Sequence, residues 1–229
     1  MNIIVTGHRN GLGKALYDML RGGECNGNRG HNVIGYDFLE NDDVANPSDW
    51  LAEVGEVDIL INCAGINHNA WFDELKRADH ENVMDTNANS IVYMVKAVLP
   101  QLIASKGTVI NIVSNAANMP MTSSLSYNMA KAAALMATKQ LAHELTRKHG
   151  ITVFSVSPNK LSGTVMSSYI ESKVCEVRGW TPEFAADYQK KSLMHGLETP
   201  PEAVARMIVH LIESGDMIYM SGCDIPFGK

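Results

Sequence analysis

Short apolar runs alternate with longer segments of helical spacing along almost the whole chain. The apolar runs predict strands at residues 2–6, 32–37, 57–62, 107–113, 151–157 and 217–220. Between them, apolar residues recur at helical spacing in residues 11–21, 47–53, 73–104 with a break, 124–148 and 201–213. Because repeated strand-helix-strand units form a parallel sheet with helices on both faces, this alternation predicts an α/β protein.

The size of the chain indicates one domain that spans residues 1–229. With 45% hydrophobic and 19% charged residues, the composition is that of an ordinary globular protein. The formal net charge of -6 argues against nucleic acid as a partner, because binding to phosphates requires clustered Lys and Arg. The eight His show no metal-ligand spacing, so we expect no metal site.

The cysteines and the apolar segments bear on where the protein works. The four cysteines are scattered without a Cys-x-x-Cys pair, at positions 25, 63, 175 and 223. We therefore expect reduced thiols in a cytoplasmic protein, and neither a disulfide framework nor a zinc site. No segment approaches about 18 consecutive apolar residues, and no basic and apolar leader precedes the first strand, so we expect neither membrane insertion nor export.

Gly7, Gly11 and Gly13 follow the first predicted strand and open the first predicted helix. Glycine allows the backbone to turn tightly and to approach a pyrophosphate, whose charge is stabilised by free amides and by the positive end of the helix. The alternative is a strand-to-helix turn without a ligand. The strand-loop-helix context favours a dinucleotide site.

Asp37 ends the second predicted strand, where a carboxylate can accept hydrogen bonds from the adenosine ribose and repel a 2′-phosphate. This position favours NAD over NADP. Arg9 and Arg29 favour the opposite choice, since an arginine beside the ribose accommodates the extra phosphate. NAD is therefore the expected cofactor, and NADP is the alternative.

Tyr127 and Lys131 stand four residues apart in a predicted helix. Tyr127 follows Ser114 by 13 residues. The four-residue spacing places the side chains of Tyr127 and Lys131 on one helical face, ~6 Å apart along the axis. A positive charge beside a phenol favours the phenolate, so we expect Lys131 to lower the pKa of Tyr127 from its ordinary value near ~10. Tyr127 would then act as an acid or base. The alternative is a solvent-exposed Tyr and Lys on a helix.

With these motifs the chain resembles the short-chain dehydrogenase/reductase family, whose members carry Thr-Gly-x-x-x-Gly-x-Gly and Tyr-x-x-x-Lys. The resemblance extends to Asn62-Cys63-Ala64-Gly65, which is similar to the family's Asn-Asn-Ala-Gly. It implies a Rossmann-type doubly wound parallel β-sheet in three layers, α/β/α, within a single domain. It also implies NAD(P)-dependent hydride transfer to or from a small-molecule alcohol or carbonyl substrate.

The resemblance assigns roles residue by residue. It implies that Tyr127 exchanges a proton with the substrate oxygen and that Lys131 also holds the nicotinamide ribose. It implies that Ser114 hydrogen-bonds the substrate oxygen and that Asn87 holds a water connecting Lys131 to solvent. The implied cofactor contacts are Gly7, Arg9, Asn10, Gly11, Leu12, Gly13, Asp37, Asp43, Val44, Asn62, Ala64, Gly65, Tyr127, Lys131, Pro158 and Thr164.

Two segments stand apart from these motifs. Residues 160–199 contain no clean strand and several glycines and prolines, so we expect short helices that cover the site as a lid. Within them Trp180, Phe184 and Tyr188 recur at four-residue spacing, which would put them on one helical face to cover the substrate or to pack between subunits. The glycine-rich residues 22–30 indicate an extended loop.

Three functions are compatible with the motifs. The leading one is an NAD(H)-dependent oxidoreductase that interconverts an alcohol and a ketone. The others are a catalytically silent NAD(P)-binding sensor or scaffold, and an NADPH-dependent 3-oxoacyl reductase. The complete set of Asn87, Ser114, Tyr127 and Lys131 favours an enzyme over a scaffold, and Asp37 argues against the NADPH alternative. By analogy with the family we expect a homotetramer or homodimer.

Overall fold

The structure, a computed structural model, describes residues 1–22, 30–193 and 195–228. At its centre lies a parallel sheet whose order is β2-β1-β3-β4-β5-β6. The strands are β1 (Asn2–Thr6), β2 (Asn32–Tyr36), β3 (Ile59–Asn62), β4 (Thr108–Ile112), β5 (Thr152–Pro158) and β6 (Asp224–Phe227). Every neighbouring pair runs parallel, which confirms the predicted α/β class.

The first five strands lie within two residues of their predicted bounds, but the prediction for the last strand was wrong. Residues 217–220 belong to a 3₁₀ turn, Asp216–Met220, in which Met217 is buried and Tyr219 is 81% exposed. The actual last strand, β6, pairs only with β5 at the edge of the sheet. An edge strand tolerates Pro226 because one of its sides needs no hydrogen-bond donor, and that proline hid the strand in the sequence.

The helices account for most of the predicted helical segments. They are α1 (Gly11–Gly22), α2 (Arg77–Met84), α3 (Ser90–Ala97), α4 (Leu99–Ser105), α5 (Leu125–Leu141), α6 (Arg147–His149), α7 (Val165–Arg178), α8 (Pro182–Ser192) and α9 (Pro201–Ser214). Short π-helical segments, Asp85–Asn89 and Ala142–Thr146, join α2 to α3 and α5 to α6. The helix predicted at residues 47–53 is a 3₁₀ turn, Asp49–Glu53.

Helices cover both faces of the sheet, as the predicted doubly wound fold requires. On one face, Leu16 of α1 and Ile208 of α9 pack in a core cluster with Ile3 of β1. On the other, Met94 of α3 belongs to a core cluster with Ile4 of β1. Because successive side chains of a strand point to opposite faces, neighbouring residues of β1 enter different cores. The result is the predicted three-layer α/β/α arrangement.

The order of the strands reverses beside β1, since β2 lies on one side of it and β3 on the other. In open α/β sheets, ligands bind outside the carboxyl ends of the strands at such a point. Here the ends of β1 and β3 are joined by Thr6, the last residue of β1. Its Oγ1 accepts hydrogen bonds from the amides of Cys63 and Ala64, just after β3, at 2.9 and 3.0 Å. The fold therefore places a crevice at the end of β1, where the glycine motif begins.

The glycine-rich loop was predicted at residues 22–30. Of these, residues 23–29, which include Cys25 and Arg29, lie outside the described residues. None of the helices in the described ranges is both long and apolar enough to cross a membrane. Within those ranges, no three His, Cys, Asp or Glu side chains are grouped so that they could hold a metal ion.

Candidate active site

A large cavity opens at the carboxyl ends of the strands, and its wall includes Tyr127 and Lys131. Its volume is about 1560 Å³. Pockets for one small ligand measure about 300–1,000 Å³, so this cavity has room for two ligands side by side. Gly7 and residues 10–13 form the wall at one end, the glycine-loop end. Residues from 113–124 and 160–199 form the other, the helical end.

The glycine loop leaves no space for a side chain at Gly7 and Gly13. A Cβ on Gly13 would lie 2.1 Å from the carbonyl oxygen of Gly7, and a Cβ on Gly7 would lie 2.9 Å from Cα of Ala64. Gly7 and Gly11 also have φ angles of 71° and 50°, which favour glycine. The loop thus brings bare backbone and the N-terminus of α1 to the cavity. This geometry fits the phosphates of a dinucleotide.

Asp37 follows β2 and directs its carboxylate to the glycine loop. Its Oδ2 accepts a hydrogen bond from the amide of Arg9 at 3.0 Å, and its Oδ1 accepts one from the amide of Leu39 at 2.9 Å. The guanidinium of Arg9 lies 3.3 Å from Oε1 of Glu40. The positive charge of Arg9, which favoured NADP in the sequence, is therefore paired with a carboxylate beside Asp37.

Ser114 and Tyr127 both lie on the wall of this cavity. Ser114 lies just after β4, and its Oγ accepts a hydrogen bond from the amide of Ala116 at 3.2 Å. Burial raises the pKa of Tyr127, and the nearby hydroxyl of Ser114 opposes that rise. The expectation that the pKa of Tyr127 is lowered was therefore wrong for this structure, because desolvation outweighs the neighbours that favour the phenolate.

Lys131 lies one helical turn beyond Tyr127, with its Nζ 5.8 Å from the centre of the Tyr127 ring. The side chain is buried, and Nζ donates a hydrogen bond to the carbonyl oxygen of Ile112 at 2.9 Å. Burial lowers the pKa of Lys131 to about 8, and the side chain of Cys63 acts in the opposite direction. Since this pKa stays above 7, Lys131 is mainly charged at neutral pH.

Asn87 is buried behind Gly65, in the π-helical segment Asp85–Asn89. Its Nδ2 donates to the carbonyl oxygen of Ile66 at 2.7 Å, and its Oδ1 accepts from the amide of Ile66 at 2.9 Å. A Cβ on Gly65 would lie 2.8 Å from Oδ1 of Asn87 and 3.8 Å from Nζ of Lys131. Asn87 therefore fixes the chain after β3 close to Lys131. The water implied for Asn87 stays a prediction.

Four predicted cofactor contacts are used within the fold. Asn62 donates a hydrogen bond to Oδ1 of Asn111 at 2.8 Å, and Ala64 donates its amide to Thr6. Val44 is buried in the core, and Asp43 accepts a hydrogen bond from a backbone amide two residues further on, at 2.9 Å. These contacts support the crevice from outside its wall. Their contact with a cofactor stays a prediction.

A chain of buried polar side chains, not predicted from the sequence, lies below the site. Asn111 lies within β4, is fully buried, and donates a hydrogen bond to Oγ1 of Thr138 at 2.9 Å. Asn62 in turn donates to Asn111, so three side chains link β3, β4 and α5. The available signal was an Asn within the apolar run of residues 107–113.

Residues 160–199 form α7 and α8 beside the cavity, and α7 begins at the glycine loop. Thr164 and Ser167 cap α7 by two reciprocal hydrogen bonds of 2.9 Å. Cγ2 of Thr164 would lie 3.3 Å from a Cβ on Gly11. Pro158, at the end of β5, lines the same cavity. Thr164 and Pro158, both implied cofactor contacts, are thus on the wall.

The C-terminal end of α7 is tied to the helical end of the cavity. Nε1 of Trp71 donates a hydrogen bond to the carbonyl oxygen of Val177 at 2.8 Å. Arg178 donates from Nε to Oγ of Ser123 at 3.1 Å, and from Nη2 to the carbonyl oxygen of Thr122. As a result, α7 extends along the cavity from the glycine loop to the segment that follows Ser114.

A second group of contacts holds residues 160–199 to the sheet. Nζ of Lys160 lies 2.8 Å from Glu171 and 2.9 Å from Glu198, and it donates to Gln189 at 2.6 Å. These side chains join the loop after β5 to α7 and α8. Because the partners are far apart in the sequence, no local pattern indicates this network.

The predicted aromatic cluster forms between α7 and α8. The ring centre of Trp180 lies 5.0 Å from that of Phe184 and 4.9 Å from that of Tyr188. Trp180 and Tyr188 line the cavity, while both Phe184 and Tyr188 remain about half exposed. This placement favours contact with a ligand for Trp180 and leaves Phe184 on the surface.

Comparison with known proteins gives consistent matches. A model of the short chain dehydrogenase family matches residues 23–174. The 3-oxoacyl-(acyl-carrier-protein) reductase FabG of Buchnera aphidicola subsp. Baizongia pistaciae is 32% identical over 196 residues, which cover 73% of this chain and 79% of that protein. Acetoacetyl-CoA reductase of Cupriavidus necator is 34% identical over 141 residues, 57% of this chain and 56% of that protein.

Two solved structures have the same fold. A short chain dehydrogenase family protein from Francisella tularensis subsp. tularensis has a TM-score of 0.80 at 20% identity, and the match covers 98% of this chain and 96% of that one. A variant of actinorhodin polyketide ketoreductase with NADPH has a TM-score of 0.83 at 21% identity and covers 99% of this chain and 95% of its own. At these identities, the likeness concerns the fold alone.

Proposed function

This chain belongs to the short-chain dehydrogenase family, and from that premise we propose that it interconverts an alcohol and a carbonyl compound with Tyr127 exchanging the proton. As a member of the family it is an NAD(P)-dependent oxidoreductase. The roles of individual residues and the choice of cofactor and substrate are the content of the proposal.

The observation that carries the proposal is that Ser114, Tyr127 and Lys131 lie together on the wall of the cavity that also contains the glycine loop. During reduction, negative charge develops on the substrate oxygen, and a donor within hydrogen-bond reach lowers the barrier. The raised pKa of Tyr127 keeps the phenol protonated at neutral pH, which is the donating form. Ser114 supplies a second hydroxyl at the same place.

Lys131 assists by stabilising the phenolate that remains after Tyr127 donates its proton. The ammonium lies near the Tyr127 ring, and a nearby opposite charge favours the ionised form of an acid. The carbonyl oxygen of Ile112 holds the ammonium in place. In the oxidative direction, the phenolate accepts the proton of the substrate hydroxyl.

The nicotinamide cofactor, when bound, supplies or accepts the hydride. The amides of the glycine loop and the N-terminus of α1 would hold its phosphates. Asp37 would bind the adenosine ribose, and Lys131 would bind the nicotinamide ribose. Pro158 and Thr164 would contact the nicotinamide end.

We also infer that NAD(H) is preferred over NADP(H). Support comes from the two carboxylates beside the loop, Asp37 and Glu40, which would repel a 2′-phosphate. The guanidinium of Arg9, the group that favoured NADP, lies 3.3 Å from Glu40.

A second candidate is reduction of 3-oxoacyl thioesters. It is favoured by the names of two relatives, a 3-oxoacyl-(acyl-carrier-protein) reductase and an acetoacetyl-CoA reductase, which are 32% and 34% identical to this chain. Turnover of acetoacetyl-CoA, compared with simple ketones and with each cofactor, distinguishes the two candidates. A sensor or scaffold would bind the cofactor and turn over none of these compounds.

The variant Tyr127→Phe tests the proposal because it removes the hydroxyl and keeps the ring. We expect kcat to fall by at least about a hundredfold, since proton transfer is lost. Cofactor affinity, measured by fluorescence titration, should change by less than about threefold. Tyr219→Phe is the matched control, because the Tyr219 side chain is 81% exposed. Turnover that survives in Tyr127→Phe would reject the role of this residue.

We further propose that residues 160–199 act as a lid on a single domain. Support comes from α7, whose two ends contact the glycine loop and the helical end of the cavity. Protection of these residues from hydrogen exchange should rise when cofactor and substrate bind. Unchanged protection would argue against a lid.

For assembly, we propose a homodimer or homotetramer formed through α3 and α5. Val92 and Tyr93 of α3 and Met136 of α5 are 45%, 41% and 63% exposed, which is apolar surface that a partner helix can cover. Light scattering would measure the assembly, and a monomer would reject this proposal.

The free thiols at positions 63, 175 and 223 favour the cytoplasm as the compartment.

A further inference from the structure

Arg178 ends α7 and contributes to the wall of the helical end. Its Nε and Nη2 donate to Ser123 and Thr122, and its Cζ lies 4.9 Å from the centre of the Trp180 ring. An arginine carries five N–H donors in a rigid fork. Since these contacts use two of them, three donors make no hydrogen bond within the described residues: both on Nη1 and one on Nη2, so that Nη1 and Nη2 present one N–H each along their shared edge. Two parallel N–H groups at such an edge match an oxyanion.

The loop that holds Arg178 is itself fixed. Ser123 has a φ of 57°, and its carbonyl oxygen accepts hydrogen bonds from the amide of Ala70 at 3.0 Å and from Nδ2 of Asn69 at 3.3 Å. Asn69 also donates to Oγ of Ser124 at 2.9 Å. The guanidinium is therefore held against a braced segment. This preorganisation reduces the entropy lost when a ligand binds.

The surroundings of the Arg178 charge differ from those of the other cations on the cavity wall, which are Lys131, Lys160 and Lys190. Lys160 is neutralised by Glu171 and Glu198, Lys190 is exposed to water, and Lys131 lies beside Tyr127. Arg178, in contrast, forms no ion pair with a carboxylate of the described residues, which are 1–22, 30–193 and 195–228. Burial lowers the pKa of Arg178, and the nearby side chain of Tyr188 opposes that change.

A second polar group at the same end also lacks a partner. Nδ2 of Asn115, the residue after Ser114, is buried and makes no hydrogen bond within the part of the chain that the structure describes. Asn115 is only 7% exposed and lines the cavity. A buried donor without an acceptor costs about 1–3 kcal/mol, which a ligand oxygen would offset. Arg178 and Asn115, two independent groups at this end, therefore have N–H donors that a ligand oxygen could accept from.

We propose that the substrate carries an oxyanion, a carboxylate or a phosphate, that binds Arg178 at the helical end while its carbonyl group lies at Ser114 and Tyr127. Asn115 donates a further hydrogen bond to an oxygen of the same substrate. This inference rests on the proposed function, and it narrows the substrate class to carbonyl compounds with an anionic group. Oxo acids and phosphate-bearing 3-oxoacyl thioesters belong to this class.

Acetoacetate and ethyl acetoacetate test the proposal, because they share the same ketone and differ in the negative charge. In Arg178→Gln, the ratio of kcat/KM for acetoacetate over the ethyl ester should fall about ten- to a hundredfold, the value of a charge-assisted hydrogen bond. Acetoacetyl-CoA forms a third arm. If only its ratio to the ester falls, the oxyanion is a phosphate. If the ratio for acetoacetate falls, the oxyanion is a carboxylate.

A purely structural role gives a different result. If Arg178 only holds α7, Arg178→Gln would lower kcat/KM for all three compounds by one factor, and unchanged ratios would overturn the proposal. Arg206→Gln is the matched control, because it makes the same change of charge at an exposed position of α9. Arg178→Lys keeps the charge and loses the fork, so its ratio should lie between those of wild type and Arg178→Gln. It also replaces Arg178→Gln if that variant does not fold.

Binding of unreactive compounds separates this proposal from the proposed function. With cofactor present, butyrate should raise the Tm of the wild type, and it should do so less in Arg178→Gln. Butyramide, which has no charge, should act on both proteins alike. Charge-dependent binding without turnover would support the anion site and reject the enzymatic proposal. Equal effects of butyrate and butyramide on the wild type, together with unchanged ratios for acetoacetyl-CoA, would overturn the anion site.

Discussion

At the glycine-loop end of the cavity the backbone itself forms the wall, whereas at the helical end the wall is held by side chains. A Cβ on Gly13 would lie 2.1 Å from the carbonyl oxygen of Gly7, so position 13 admits no larger residue. At the helical end, Trp71 and Arg178 hold α7 by hydrogen bonds to partners 106 and 55 residues away in the sequence.

The two ends should therefore respond differently to mutation. Packed backbone cannot rotate away from an added atom, so one methyl group disturbs the whole loop. Hydrogen bonds from side chains contribute about 0.5–1.5 kcal/mol each and can be replaced one at a time. We expect cofactor binding to tolerate little change and substrate choice to follow the side chains of the helical end.

The largest effect is expected from Gly13→Ala. The new Cβ overlaps the Gly7 carbonyl oxygen, so the free energy of unfolding in urea should fall by about 3 kcal/mol or more. Cofactor affinity should fall with it. Gly55→Ala is the control, because a Cβ there meets nothing within 4 Å. Similar unfolding free energies for the two variants would contradict the steric account of this end.

Lys131, which lies between the two ends of the cavity, should make the stability of the protein depend on pH. The pKa of Lys131 is about 8 in the folded protein against an ordinary 10.5. Above about pH 8 the unfolded chain therefore binds more protons, and the free energy of unfolding rises with pH by up to about 1.4 kcal/mol per unit. Below pH 8 this contribution is constant. The pKa of Cys63 is raised from 9.0 to about 12, so its contribution lowers stability above about pH 9.

Urea unfolding measured from about pH 7 to about pH 10 covers both contributions. The rise above pH 8 should vanish in Lys131→Met. In a Cys63→Ala background the rise should continue to higher pH, because the opposing group is gone. Identical pH profiles for the wild type and Lys131→Met would show that the ammonium is not desolvated as the structure indicates.

A smaller effect is expected at the cofactor side from Asp37→Asn. Asparagine keeps an oxygen for the amide of Leu39, so the turn after β2 should persist, but it removes the charge and the acceptor for the amide of Arg9. The ratio of kcat/KM for NADP over NAD should rise about tenfold, or ~1.4 kcal/mol. Asp49→Asn, at an exposed position of the 3₁₀ turn, controls for net charge. An unchanged ratio would assign cofactor choice to another group, such as the Arg9–Glu40 pair.

The smallest effect is expected from Trp71→Phe at the helical end. It removes the hydrogen bond to Val177, so unfolding should become easier by about 1 kcal/mol, while KM for the substrate rises a few-fold. Trp50→Phe is the matched control, because it removes a comparable bond of 3.0 Å to Asp42 outside the cavity wall. If both variants change KM alike, the anchoring of α7 has no part in substrate binding.

Much of the fold could be predicted because its signals are local. Five strands and the long helices follow from runs and spacings of apolar residues, which act within a few positions. The last strand could not be predicted in this way. Its run contains Pro226 and draws its hydrogen bonds from β5, whereas the more apolar residues 217–220 form a turn. Pairing with a distant strand outweighed local hydrophobicity.

The candidate site divides along the same line. The spacing of Tyr127 and Lys131 and the position of Ser114 predicted three groups that the structure brings together. The partners of Asn87 and Arg178 were not predictable, because Ile66 and Ser123 are their neighbours only in the folded chain. The expected role of each residue in catalysis remains a prediction.

By itself, the sequence determined the alternation of strands and helices, the glycine loop and the common face of Tyr127 and Lys131, since each depends on residues close together in the chain. Only the tertiary structure decided that the pKa of Tyr127 rises and that Arg178 stands without a carboxylate partner among the described residues. The physical reason is that desolvation and charge pairing depend on every group that packs around a side chain, and those groups come from distant parts of the sequence.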